Sequence, residues 1–269
     1  RVSEDYRILS ELAPLIDNDP KMKKLGFPKL QPLVKDLNKT VTDELDLEST
    51  IERQIKGREI YTRQVFMNGK TYKNAIDISV PEVIMPLKGS NLHVQELVTG
   101  TKLDKLAEFY KESIPDLKPK VVEQLASMWM EEVIFKSGFY HSDLHQGNFM
   151  VELTEPAIKV HILDFGMGGF ISKDLQSSIV ILGAGIELNN GKVISKTLWN
   201  LSDKTGNSVS QVDFVQKVEA RVQMIKAGKM PAQSFEQWSS WAMDEGLKFP
   251  YEFVSLNRGM VILDRMLKE

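Results

Sequence analysis

The sequence predicts an α+β fold whose strands lie in its first two thirds and whose last hundred or so residues are wholly helical. Three observations predict it. Apolar and polar residues alternate in short runs between residues 75 and 97 and again between residues 149 and 162, the period of a half-buried strand. Apolar residues recur at three and four residue spacing from Ser172 to the end, the period of amphipathic helices. Between those regimes stands YHSDLHQGN (Tyr140 to Asn148), followed by ILDFG (Ile162 to Gly166).

Taken in order, Ser3 is read as the cap of a first helix with Glu4 and Asp5 in its opening turn and Tyr6, Leu9, Leu12 and Ile16 along one side. Pro14 inside that run predicts a kinked or short helix. A second helical pattern starts at Lys29 and carries Leu30, Leu33, Val34, Leu37 and Val41 on one face. The acidic stretch TDELDLE follows, and the pattern resumes through Ile51, Ile55 and Ile60. Its carboxylates have two readings, an exposed acidic helix turn or a group that faces a metal or a lysine. Asn68-Gly69 is a tight-turn signal. Around it strands are expected at Ala75 to Val80, Glu82 to Met85 and Asn91 to Leu97, with Gln95 to Gly100 as a connector into a helical part.

Val121 to Lys136 is the clearest helix, with Val122, Leu125, Ala126, Trp129, Val133 and Ile134 on a wide apolar face, and Gly138 is placed to stop it. Phe149 and Val151, then Ile158, Val160 and Ile162, make a hairpin turning at Glu155-Pro156, with Asn148 at its entry and Asp164 at its exit. Helices are expected from Ser172 to about Glu187, then Gly191 to Leu201, Val209 to Ala227, Ser234 to Glu245 and Tyr251 to Lys268.

The chemistry that this order suits is phosphoryl transfer. Such a reaction asks little covalent work of a protein, so the need is for one carboxylate oriented on the acceptor and for oxygen ligands holding magnesium against phosphates. Asp143 is placed as the base, and Asn148 and Asp164 as the metal ligands. His141 is read as a neutral imidazole that orders the loop through backbone bonds near the DFG turn, and His145 as either a substrate contact or a structural group. His93 and His161 are read as packing or surface residues. In Gly166, Gly168 and Gly169 a phosphate cradle competes with a plain turn, and the turn is preferred.

Composition narrows the field. Net charge is -3, against a general nucleic-acid binder, and the chain has no cysteine, which removes disulfides, thiolate metal sites and cysteine nucleophiles. Four histidines without cysteines make no convincing zinc site. The best apolar run, Ile179 to Ile186, is far below the roughly 18 residues of a membrane span, and no signal peptide is visible, so a cytoplasmic or peripheral-membrane setting is expected. Starting at Arg1, the chain reads as a piece of something longer.

These motifs together resemble the UbiB, or aarF-domain, family of atypical protein-kinase-like proteins. ELD at Glu44 to Asp46 is similar to that family's E-x-D motif, VPEV and VQELVTGTKL to its V-P-x-V and hinge segments, GFYHSDLHQGNFMV to its catalytic loop, LDFG to its metal-binding turn, and SLNRGMVILDRM to its C-terminal helices. The resemblance implies a protein-kinase-like two-lobed fold: a partial N-lobe over residues 1–97, with a few strands and a long acidic helix, and a mainly helical C-lobe over residues 98–269. It implies ATP and Mg2+ as cofactors, with ATPase or kinase activity linked to ubiquinone or other isoprenoid-lipid metabolism. A lipid or quinone precursor and a membrane surface would be further partners. By position, Glu44 and Asp46 would be the acidic pair near the nucleotide, and Glu96 and Leu97 would contact it from the hinge. Where the family carries a glutamate, six residues after Glu44, this chain has Thr50. The family's nucleotide-binding lysine, alanine-rich loop and K-x-G-Q helix would precede Arg1. Two other classes stay open: a small-molecule phosphotransferase of the aminoglycoside or choline kinase type, and a pseudokinase scaffold.

Overall fold

The computed structural model describes residues 2–19, 30–31, 34, 37, 41–42, 46–66, 75–84, 92–106, 108, 116–154 and 157–268. Glu44, the Asn68-Gly69 turn, the Glu155-Pro156 turn and most of the pattern from Lys29 to Val41 lie outside them.

Helix α1 spans Val2–Asn18 and contains Pro14. It is therefore neither short nor ended at the proline: a single missing amide removes one rung of the ladder, and the turns on both sides carry the helix on. It begins one residue before Ser3, so that serine lies inside the first turn rather than capping it. At the far end Asp17 accepts the amides of Leu30 and Gln31, at 2.6 and 3.0 Å, which ties α1 to the segment after it.

Helix α2, Leu47–Tyr61, buries Thr50, Ile51, Gln54, Gly57 and Tyr61. The face is set by the helical repeat and not by the isoleucines alone, since Ile55 and Ile60 are only half-buried. Gln54 donates to Pro81 O at 2.8 Å and Gln95 Oε1 at 2.7 Å, so α2 lies against the chain that follows the first strands.

The main sheet has five strands in the order β1-β2-β6-β5-β3: Arg63–Phe66, Ala75–Ser79, Ile158–Ile162, Phe149–Leu153 and Thr101–Lys102. β1 and β2 pair antiparallel, β2 runs parallel to β6, and the β5–β6 hairpin continues the sheet in antiparallel sense to β3. Ile76, Ile78, Val80, Val151, Val160 and Ile162 point into the core. Among the described residues, the strands expected at Glu82 to Met85 and Asn91 to Leu97 meet as an isolated bridge, Val83 to Gln95, with Ile84 N on Val94 O and Glu96 N on Glu82 O, both at 2.8 Å. Two backbone bonds are too few for a ladder.

Helix α3, Leu117–Met130, loosens into a π turn over Glu131–Phe135 before Gly138 turns the chain at φ +75°. A Cβ at Gly138 would meet Ile171 O at 2.7 Å, so both the dihedral and the close approach require glycine there. A second, two-stranded sheet pairs β4, Phe139–His141, with β7, Gly168–Phe170. Gly168 and Gly169 are thus strand residues and form neither a phosphate loop nor a loose turn. A Cβ on Gly168 would lie 2.4 Å from Tyr140 O, which explains the glycine by close backbone contact.

The helices after β7 fall where the periodicity puts them: α4 Lys173–Glu187, α5 Gly191–Leu201, α6 Gln211–Lys226, α7 Phe235–Asp244 and α8 Tyr251–Lys268. Ser172, Asn190, Ser210 and Ser234 each cap a helix by accepting a first-turn amide, and Ser234 does so in a reciprocal box with Gln237. One hydrophobic cluster joins the sheet, α3 and α8 around Trp129, Phe139, Phe149 and Phe165. A second fills the space among α4 to α7 around Phe214, Trp238 and Leu198.

Candidate functional site

Helix α3 places the loop through Trp129, whose indole nitrogen donates to His141 O at 3.0 Å. Helix α8 approaches the same point from the other side at Gly259, where a Cβ would meet His141 O at 3.0 Å and Trp129 at 3.1 Å. With its backbone held between them, His141 works through its ring: Nδ1 accepts Asp143 N at 3.1 Å and Nε2 faces Leu163 O at 3.4 Å. Burial holds its pKa below the ordinary value, so the imidazole is neutral, with the proton on Nε2 donated to Leu163. His141 therefore links the Asp143 loop to the strand that leads into Asp164.

Asn148 sits in a 3-10 turn, Gln146–Asn148, that His145 caps by accepting Gly147 N. It is buried, and its Nδ2 donates to Asp143 O at 2.8 Å, so its Oδ1 is the end that remains for a cation. Asp164 adopts φ +55°, unfavourable for an L residue but tolerated by aspartate, and its Oδ1 accepts Gly166 N at 3.0 Å. Phe165 next to it is buried against Phe139 and His141.

Asp143 and Asp164 line one cavity of about 430 Å³, together with Leu47, Thr50, His93, Gly166 and Met167. Asp143 Oδ1 accepts Arg258 Nη2 at 3.1 Å, and its Oδ2 lies 3.8 Å from His145 Nε2. From α2, Arg53 donates to Phe165 O at 2.8 Å and Gly166 O at 2.7 Å, fastening the turn that carries Asp164. Thr50 reaches the cavity from the same helix and donates to Asp46 O at 2.9 Å.

The structure thus puts Asp143 and Asp164 on one cavity, with Asn148 behind it, bonded to the Asp143 carbonyl and, through its own carbonyl, to Leu163 N. Asp46, Glu96 and Leu97 lie away from that cavity, and Glu44 is outside the described residues. Asp46 is exposed and caps α2: its two carboxylate oxygens accept the amide and the hydroxyl of Ser49, which hold its pKa below the ordinary value. Glu96 accepts Glu82 N and lies 3.8 Å from Arg58, and Leu97 is 89% exposed; neither lines the cavity. Sequence reading missed four side chains. His93 lines the cavity, Thr50 faces it, Arg53 binds the DFG backbone and Arg258 pairs with Asp143. The signal for Arg258 was Gly259 beside it, a glycine inside an apolar helix that marks close backbone approach.

A family model described as the ABC1 atypical kinase-like domain matches residues 1–197. The chain belongs to this family. Curated relatives include the "Probable protein kinase UbiB" of Aliivibrio fischeri, 26% identical over 175 residues, and its namesake in Glaesserella parasuis, 26% identical over 176; each alignment covers 64% of this chain and 29% of the relative. The namesake in Vibrio cholerae is 24% identical over 176 residues, 65% of this chain and 29% of that one. The matched stretch therefore spans less than a third of these relatives. Among solved structures, a complex of Rv3197 with erythromycin from Mycobacterium tuberculosis superposes with a TM-score of 0.48 at 18% identity, covering 91% of this chain and 60% of that one. Membership gives the kinase-like fold expected from the motifs. In this member of the ABC1 family, no helix among the described residues is long and apolar enough to cross a membrane.

Proposed function

We propose that this chain is the base and metal side of an atypical kinase or ATPase of the UbiB type, which binds ATP with Mg2+ and transfers or hydrolyses its terminal phosphoryl group. The observation that carries the reading is the single cavity shared by Asp143 and Asp164, with Asn148 bonded to the Asp143 carbonyl. The Asp164 carboxylate and the Asn148 amide oxygen are hard oxygen donors, which suit magnesium. Asn148 and Asp164 would hold the ion, and bound there it would neutralise charge on the phosphates.

Asp143 is the base. As the acceptor oxygen bonds to phosphorus and the bridging oxygen to the β-phosphate leaves, the Asp143 carboxylate takes the acceptor's proton. Arg258 and the Asn148 amide fix its orientation, and His141 keeps its backbone in register with Leu163. The further parts of the reading are that Glu44 and Asp46 lie near the nucleotide, that Glu96 and Leu97 contact it from the hinge segment, and that residues 1–97 and 98–269 act as two lobes. A lipid or quinone precursor at a membrane surface is the proposed setting, with ubiquinone or isoprenoid-lipid metabolism as its context. The Asp46 cap favours a structural share in its role, since both of its carboxylate oxygens are engaged by Ser49.

The test is nucleotide-dependent thermal stabilisation of the full-length protein with and without Mg2+. Asp164→Ala is expected to remove the magnesium-dependent part, and unchanged stabilisation by Mg-ATP would sink the metal assignment. Asp143→Asn is expected to keep binding and to lower turnover by at least about 100-fold, the usual scale of a general base. Equal loss of binding and turnover would make Asp143 structural instead.

A further inference from the structure

Helices α3, α4, α7 and α8 leave between them a groove of about 610 Å³ that shares no lining residue with the cavity of Asp143 and Asp164. Its volume falls in the range of small-molecule sites, and its walls are mainly apolar. Val180, Leu263 and Leu267 line it, and the π turn at the end of α3 leaves Phe135 there at 70% exposure. Gly183 opens one side of the groove: a Cβ built on it meets nothing within 4 Å.

The charges on this groove are of one sign. Among the described residues, the ionisable ones that line it are Glu236 and Asp264. Asp264 already takes Lys268 Nζ at 2.5 Å. Glu236 has no ion pair among the described residues, and its Oε2 is buried without a hydrogen-bond donor there, a state that native interiors rarely leave; a cation in the groove that Glu236 lines would draw that oxygen round to face it. A ligand that satisfies both features has an apolar body to cover the walls and a cationic donor for the carboxylate. A fatty carboxylate or a phosphate would set like charge against Glu236.

We propose that this groove binds an amphiphilic amine, its hydrocarbon chain against Val180, Leu263 and Leu267 and its ammonium on Glu236. The proposal stands apart from the phosphoryl-transfer reading and does not depend on it.

Calorimetric titration of the protein with octyl- and decylammonium, decanol and decanoate, each below its micellar concentration, tests it. Decylammonium should bind saturably, roughly fourfold tighter per methylene than the octyl homologue, and decanoate at least about tenfold more weakly, by like-charge exclusion. Glu236→Gln should bring the amine down to the affinity of the alcohol. Gly183→Leu places a helix-favouring side chain in open space, so it should abolish amine binding without lowering Tm. Decanoate binding as tightly as the amine, or unchanged amine affinity in Glu236→Gln, would overturn the proposal. So would vesicle binding by the protein with no saturable binding of the free amine, which would assign the face to a bilayer.

Discussion

Asp164 holds a positive φ because its surroundings fix it: Gly166 N bonds its carboxylate while Arg53 takes the next two carbonyls. His141 is fixed as firmly, and at a cost that depends on pH. Burial depresses its pKa below the ordinary 6.5, so the unfolded chain binds the proton more readily than the folded one. Its contribution is therefore fully present above pH 6.5 and is lost as pH falls below it, by up to about 1.4 kcal/mol per pH unit for one proton. Thermal unfolding is expected at lower temperature at pH 5.5 than at pH 7.5, with a smaller difference in His141→Gln. An equal pH dependence in that variant would locate the titration elsewhere, with His161, also depressed by burial, the next group to examine. The loop residues were legible because their chemistry is local: Asp143, His141 and Asn148 bond one another within a few residues. Arg258 reaches Asp143 across 115 residues of sequence, and no local pattern announces such a contact.

Between elements, what matters is where a helix comes close to its neighbour, and two glycines show it with opposite signs. Gly57 faces Phe165, and a Cβ there would stand 2.2 Å from the ring. Alanine gains up to about 1 kcal/mol of helix propensity over glycine, while overpacking a filled core costs typically about 1–3 kcal/mol. Phe165 is wedged against Phe139 and His141, so the clash wins. Gly57→Ala is expected to destabilise the chain, and because it pushes on the DFG turn it should also weaken magnesium-dependent nucleotide binding. At Gly183 nothing opposes a Cβ, and Gly183→Ala should stabilise by up to about 1 kcal/mol. Denaturant unfolding of both variants checks the pair, and the same sign at the two sites would refute the packing argument. Helix periodicity made the elements themselves legible, and the structure adds the side-chain caps that start four of them after residue 170. The strands at Glu82 and Asn91 were over-read because alternation reports which faces are buried and not how many backbone bonds form.

At the scale of the molecule, two hydrophobic clusters meet at Phe235, which packs against both. Phe235→Ala is expected to cost about 2 kcal/mol, below the roughly 3–5 kcal/mol of a fully buried large aromatic because the side chain is only part-buried, and to loosen the coupling between the clusters. Urea unfolding followed by tryptophan fluorescence and by circular dichroism should give coincident curves in the parent chain and separated ones in the variant. Coincident curves in both would mean that other contacts carry the coupling. The sequence by itself determined the helices of the second half, the β5–β6 hairpin and the three polar groups of the loop and DFG turn, since each depends on residues close along the chain. Only the tertiary structure decided that β2 runs parallel to β6, that Gly168 and Gly169 are strand residues, and that Thr50, His93, Arg53 and Arg258 converge on the Asp143–Asp164 region. Those facts depend on which surfaces pack together, and burial pairs residues by shape and distance in space without leaving a period in the sequence.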